Sequence, residues 1–380
     1  MINVNFHKLA LAPTSYIESQ CKKIPEKPRF FIYGAGNIGK KIYRGLVDNG
    51  HLVGGFLDNN PLLHGRRYGD AICIPFVDLK PSVCDVCVIC IWHYQHDPAR
   101  SLEHASQLGF LHVLHFSAVT VWLNLCGIFP NYAVDHPAKF FQSGTPRRID
   151  ELLNTLSDSA SRNTALKILH FHATADMKEL PQITSRALPF DPSKILTYID
   201  GGAFDGDDFK KHLDDFTSLE YARLLEPDPH SFQLLKRLNY PLIPDLIAVN
   251  AALSDAPGSI GFRANGDWGS MVVNGPSNDG DIYVDCITLD ILCEAVPSPI
   301  YIKMDLEGHE LNALQGAHKL LQSDDAIFSI TLEHKALDIF DIPELISKYK
   351  HRKSFLFAHD SEFCMDLVLY SVPEKLLSKL

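Results

Sequence analysis

An α/β chain of two Rossmann-like domains is what this sequence predicts, and three observations carry that expectation. The first is a pair of distant segments, IDGGAFDG at 199–206 and IYIKMDLEGHE at 300–310, each a short apolar run that ends in an acid and glycines. A parallel strand reads this way when it delivers a ligand-binding loop at its carboxyl end. The second is LLEPDP at 224–229, an apolar run of the same kind lying between them. The third is FFIYGAGNIG at 30–39, a strand followed by glycines in GxGxxG spacing.

A chain of 380 residues is too long for one ordinary core. The expected division is a nucleotide-binding domain over 1–116, a connecting segment with helices over 117–190, and a second nucleoside-binding domain over 191–380. In the first domain a strand ends at Gly34. A helix is expected over 40–49, and a second strand over 51–57 ends at Asp58. This is the full context of the dinucleotide fingerprint, with Gly34, Gly36 and Gly39 in the turn and the acid about twenty residues on. A further buried strand is expected within 78–92. By pattern alone the ligand is NAD, but no partner motif for hydride transfer accompanies it.

Residues 117–146 are rich in aromatic residues and prolines and read as a packed connection. Helical periodicity follows over 147–175, where the helices are expected to cover the entrance to the second site. Strands are then expected at 195–200, 222–226, 246–251, 300–305, 326–333, 354–358 and 366–372. The last two make a closing antiparallel hairpin. An extra ribbon is expected at 258–263 and 282–286, and 265–280 reads as a mobile loop.

The glycine loop at 200–206 lets backbone approach a ligand closely. Glu226 ends the next strand, where an acid accepts hydrogen bonds from ribose hydroxyls. The glycine spacing is not GxGxxG, and Asp207 and Asp208 open the next helix. Acids there would repel a pyrophosphate but tolerate the sulfonium and ammonium of S-adenosylmethionine.

Over roughly 196–373 the sequence resembles the FkbM-type methyltransferases. The segments that carry the resemblance are IDGGAFDGDDF, LLEPDPHSFQLLK, AVNAALSD, IKMDLEGHELNALQGAHKLL, LEHKALDIFDIPELI and MDLVLYSVP, in the family's order. One departure is Asp208, where related sequences often carry Thr. The resemblance implies that the C-terminal domain is a class I methyltransferase sheet with an antiparallel closing hairpin. It further implies S-adenosylmethionine as cofactor and methyl transfer to an oxygen of a sugar, glycan or small hydroxylated metabolite. The implied cofactor set is Asp200, Gly201, Gly202, Ala203, Gly206, Glu226, Asn250 and Asp305. In the N-terminal half, GFLDNNPLLHGRRYGDAICIP looks like the domain found ahead of sugar acyltransferases. A second nucleotide or sugar nucleotide at Gly34, Gly36, Gly39 and Asp58, NAD, and a purely structural domain all stay open.

A hydroxyl acceptor needs a base near it, in line with the methyl group. His334 is expected in that role, because a histidine works near neutral pH. Asp305 and Glu307 lie beside it, and His359 is the second candidate. Glu307 and Glu310 are read as acids opening a helix. The expected site is metal-free, and a catechol-type Mg²⁺ pair of Asp305 and Glu333 is the alternative. A non-catalytic nucleotide-binding or regulatory protein is the competing function, against which the intact cofactor residues argue.

The remaining features narrow the class. The net charge is −11, with a basic first part and a strongly acidic remainder. That argues against nucleic acid as partner, since phosphate contacts need clustered Lys and Arg. No signal peptide and no membrane span are expected, residues 113–134 being the most apolar long stretch. Nine cysteines at irregular spacing fit a reducing cytosol. Cys84 and Cys90 face one side of a strand and Cys87 the other, so they form no metal cluster. Nothing sets the oligomeric state.

Overall fold

The computed structural model describes residues 15–91, 98–125, 145–179, 186–238, 240–241, 243–264, 270–273, 281–358 and 367–378. It divides into two compact units. One comprises Met1–Asp150, Asn163–Ile183 and Ala358–Asp366, and the other Glu151–Arg162, Thr184–Phe357 and Leu367–Leu380.

The first unit holds β1 (Arg29–Tyr33), α1 (Asn37–Asp48), β2 (Leu52–Leu57), β3 (Arg67–Tyr68), β4 (Ala71–Ile74), β5 (Asp85–Ile89) and β6 (His112–His115). The sheet order is β3-β4-β2-β1-β5-β6. All neighbours are parallel except β3 and β4. The strand order reverses at β1, so a crevice opens outside the carboxyl ends of β1 and β5. Strand β5 is buried along its whole length, which is why its sequence, DVCVI, is almost continuously apolar. Its one acid, Asp85, is held by Arg29 through two hydrogen bonds of 2.7 Å. Helix α1 starts three residues earlier than the sequence suggests, with Gly36 as its N-cap. A Cβ on Gly39 would fall on the carbonyl oxygen of Gly34, so glycine there lets the helix pack on the strand. Cys87 and Cys90 are buried and Cys84 is exposed.

The second unit is built on β7 (Thr197–Gly201), β8 (Tyr221–Leu225), β9 (Asp245–Val249), β10 (Ala252–Leu253), β11 (Gly258–Arg263), β12 (Met271–Val272), β13 (Ile282–Ile287), β14 (Ile300–Met304), β15 (Ala326–Thr331), β16 (Arg352–Ala358) and β17 (Leu367–Pro373). Seven of these form one sheet, ordered β16-β17-β15-β14-β7-β8-β9. Strands β9, β8, β7, β14 and β15 are parallel, and β17 runs antiparallel to β15. This is the strand order that the resemblance implies, with β17 antiparallel and β16 beside it at the end of the sheet. Strands β10 to β13 make a separate four-stranded sheet.

Aromatic side chains fill one face. Tyr198 on β7 lies 5.1 Å from the rings of Phe209, Phe216 and Tyr301, and all four are buried. Such pairs contribute beyond their buried area, about 0.5–1.5 kcal/mol each.

Strand ends differ from expectation by a residue or two. Strand β15 stops at Thr331, one residue past its last pair with β14 (Ile330 with Met304) and at its last pair with β17 (Thr331 with Val368). Glu333 and His334 therefore sit in the loop beyond the strand. Of the apolar stretch 113–134, the described part is the end of β6 and a helix, Phe116–Trp122, where a bare connection was expected. The His115 side chain caps that helix by accepting from the Ser117 N–H. No helix among the described residues is long and apolar enough to cross a membrane. Residues 359–366 and most of 265–280 lie outside the described residues.

Candidate functional site

Strand order again reverses between β7 and β14, so the crevice of the second unit lies at their carboxyl ends. The expected residues gather there. Asp200, inside β7, is fully buried. Its Oδ1 lies 3.4 Å from the Lys303 ammonium, and its Oδ2 has no hydrogen-bond partner among the described residues. Burial raises its pKa to about 6 against the pull of Lys303. A buried acceptor without a donor is costly unless a ligand supplies one.

The loop after β7 is pinned on β8. Gly202 and Ala203 both donate their N–H to the Leu225 carbonyl. Gly202 has φ +76, and a Cβ there would fall on the Asp305 carbonyl oxygen. Gly201 ends β7, where a Cβ would meet Leu253. Phe204 is held at φ 49 and Gly206 at φ 78, the latter opening α2 (Asp207–His212). Non-glycine residues at positive φ are strained and cluster at functional sites.

Glu226 follows β8 and is 6% exposed. Its Oε2 accepts from the Phe204 N–H at 2.9 Å and its Oε1 from the Asp228 N–H at 2.7 Å. Each oxygen keeps one lone pair for a further donor. Burial raises the carboxyl to about 7, with the two backbone N–H groups pulling the other way. Asn250 stands beside the chain that follows β8. Its amide donates to the carbonyls of Glu226 and Pro227 and fixes the chain that carries Glu226.

Lys303, in the middle of β14, was not singled out from the sequence. Its ammonium lies 3.1 Å from Asp208, 3.4 Å from Asp200 and 3.8 Å from Asp305. Burial works against that charge, but the three carboxylates raise its pKa well above the ordinary lysine value. Asp208, the position that departs from the usual Thr, thus has a partner inside the site.

The second group lies beyond β14 and β15. His334 is 4% exposed. Its Nδ1 is 2.8 Å from Glu310 Oε1. Its Nε2 faces Asp305 Oδ1 at 3.5 Å and Glu307 Oε2 at 3.7 Å. Those two distances are too long for good hydrogen bonds. Burial disfavours the imidazolium, yet Glu310 outweighs it and raises the His334 pKa well above its ordinary value. Asp305, Glu307 and His334 each offer a ligand atom, all within 4.8 Å of one another.

Glu310 corrects the sequence reading. It opens α3 (Glu310–Gln315), but it is wholly buried rather than a surface acid at a helix terminus. Its Oε1 also accepts the N–H groups of Leu306 and Gly308, at 2.8 and 3.3 Å. Glu307 precedes the helix, at φ 51, instead of opening it. Glu333 is not one of those three residues, and its Oε2 accepts from the Leu367 N–H at 3.2 Å. His359 lies outside the described residues.

In the first unit, a Cβ on Gly36 would meet nothing within 4 Å, whereas one on Gly34 would press on the Cys90 carbonyl at 2.9 Å. Asp58 Oδ2 accepts from the Ala35 N–H at 2.9 Å, so this acid ties the glycine turn to the end of β2.

Residues 200–359 match the Methyltransferase FkbM domain family, as their motifs led one to expect. The chain is 32% identical over 130 residues to the hexuronic acid methyltransferase AglP of Haloferax volcanii, which is 33% of this chain and 52% of that protein. The chain thus spans about half the length of the curated relative it matches. Among solved structures it is similar to the methyltransferase FkbM from Methylobacillus flagellatus KT, with TM-score 0.75 and 18% identity, covering 97% of this chain and 98% of that one.

Proposed function

We propose that this chain is an S-adenosylmethionine-dependent methyltransferase acting on a hydroxyl of a sugar or glycan. The observation that carries the reading is a juxtaposition at one sheet edge. Asp200 and Glu226 lie on one side of the β7–β14 switch point, and Asp305, Glu307 and His334 on the other. The FkbM-domain match and the relative named as a hexuronic acid methyltransferase support it. A purely regulatory role is disfavoured, because the residues both halves of the site need are intact.

S-adenosylmethionine supplies an electrophilic methyl carbon on a sulfonium. The chain's own residues do the rest. Glu226 accepts from the two ribose hydroxyls with its remaining lone pairs, a charge-assisted arrangement. Asp200 Oδ2 accepts from the ammonium of the amino-acid part. Gly202 keeps the backbone close to the Asp305 carbonyl and leaves no side chain in the path. The acceptor lies against Asp305, Glu307 and His334, and this group of side chains assists loss of its proton. Holding acceptor oxygen and methyl carbon in line supplies much of the rate.

The N-terminal sheet is proposed to bind a nucleotide-containing anion, such as a sugar nucleotide, over the open Gly36, without hydride transfer. Incubation of the full chain with S-adenosylmethionine and a panel of hexuronides and neutral glycosides tests the main reading. Methylated product with stoichiometric S-adenosylhomocysteine is expected. Absence of cofactor binding in calorimetry would defeat it.

A further inference from the structure

We propose that Asp305, Glu307 and His334 bind a divalent cation of the Mn²⁺ type, which receives the acceptor hydroxyl in one of its open positions. This goes past the metal-free site expected from the sequence, and it differs from the Asp305–Glu333 pair considered there. It rests on the reading that the acceptor lies at this cluster.

Three observations support it. The donor atoms are already gathered, all within 4.8 Å of one another. A cation about 2.0–2.2 Å from each donor needs adjacent donors roughly 3 Å apart, a small contraction from the 3.5 and 3.7 Å now seen from Nε2. Those distances are too long for His334 to be satisfied by hydrogen bonds to the same carboxylates.

The second observation is the support of the histidine. His334 is nine-tenths buried and turns Nε2 into the cluster, while Nδ1 is held by the wholly buried Glu310. A metal-ligating histidine almost always gives its second ring nitrogen to a carboxylate, a backbone carbonyl or water, which fixes the tautomer and the ring plane, and Glu310 fills that place here. Glu310 also binds the N–H groups of Leu306 and Gly308. One carboxylate therefore sets the register of the loop bearing Asp305 and Glu307 as well as the imidazole.

The third is charge. Lys303 is shared among Asp200, Asp208 and Asp305, so its single ammonium does not neutralise Asp305. One imidazole nitrogen with two carboxylates is a mixed donor set. Imidazole disfavours Ca²⁺ and Mg²⁺, and the absence of thiolate disfavours soft ions, which leaves Mn²⁺ and its neighbours.

With three protein ligands, positions remain for water and the acceptor oxygen. Coordination makes the hydroxyl more acidic, and its proton leaves to solvent water. The oxygen lone pair then forms the new C–O bond as the S–CH₃ bond breaks, with that electron pair staying on sulfur.

The test uses full-length protein stripped with EDTA and desalted, titrated with MnCl₂ in a calorimeter and followed by electron spin resonance. One saturable Mn²⁺ per chain is expected, with a nitrogen coupling from the imidazole. Glu307→Gln, at a partly exposed position, should weaken binding at least about tenfold, and Glu310→Gln about 10–100-fold. His334→Asn should abolish the nitrogen coupling. No saturable binding by the wild type, or binding unchanged in Glu307→Gln, overturns the proposal. A separate methyl-transfer assay keeps the two readings apart. Turnover in protein that binds no Mn²⁺ removes the metal and spares the methyltransferase. Mn²⁺ binding as described, in a chain that neither binds S-adenosylmethionine nor transfers methyl, spares the metal site and removes the methyltransferase.

Discussion

Cofactor affinity should rise with pH through the range in which Glu226 ionises. Both carboxylate oxygens already accept a backbone N–H, and the group is 6% exposed. Burial holds its pKa at about 7 in the ligand-free protein. Only the carboxylate accepts from both ribose hydroxyls, so binding must first remove a proton below that pH. At roughly pH 5.5 the ionised fraction is a few per cent, and the dissociation constant should be about thirtyfold weaker than at pH 8, one decade per unit of pKa difference. Asp200, raised to about 6, acts in the same direction but over a lower range. Stability carries the opposite sign. A carboxyl whose folded pKa exceeds its unfolded one contributes most below the unfolded value and loses that contribution as pH rises through the folded one. The ligand-free protein should therefore lose up to about 3 kcal/mol from Glu226 between roughly pH 4.5 and 7, and bound cofactor should restore part of it. Calorimetry of S-adenosylmethionine binding at several pH values is the assay, with Glu226→Gln as control. A dissociation constant that stays flat from pH 5.5 to 8, or a pH dependence unchanged in Glu226→Gln, would refute the reasoning.

Other outcomes follow from the same geometry. His334→Ala should leave cofactor affinity within about twofold while turnover falls about 10²–10⁴-fold, read by single-turnover kinetics; full turnover would remove the residue from the chemistry. Gly202→Ala combines positive φ with a Cβ on the Asp305 carbonyl. It should cost about 1–3 kcal/mol and several degrees in a thermal melt, along with cofactor binding; a melt like the wild type's would mean that the loop is looser than described. In a thermal-shift panel, nucleotide sugars should stabilise the protein and nicotinamide cofactors should support no alcohol oxidation. Stabilisation by no member would favour a structural N-terminal domain.

Much of the second sheet was legible because its strands are buried on both faces and stop at glycines and acids. IYIKM and TYIDG state their own boundaries within a residue or two. The pairing of β14 with β15 then brought Asp305 and His334 together, since adjacent parallel strands end side by side. What the sequence hid was tertiary. Glu310 reads as one more acid at a helix start, and nothing in its spacing shows that Oε1 meets His334 and two N–H groups. Lys303 looks like a polar interruption of a strand until Asp200, Asp208 and Asp305 are placed around it. The positive φ of Phe204 and Glu307 left no trace either, because neither residue type favours that region.

The central claim is that methyl transfer takes place between the Asp200–Glu226 side of the crevice and the His334 cluster. The most direct measurement gives the full chain S-adenosylmethionine with a trideuterated methyl group, together with hexuronides and neutral glycosides. Products are read by mass spectrometry for wild type and His334→Ala. The account predicts the label on a hydroxyl oxygen of one acceptor class in the wild type, and its near loss in a variant that still binds the cofactor. Label transferred equally by both proteins, or none transferred by a wild type saturated with cofactor across the whole panel, would contradict it.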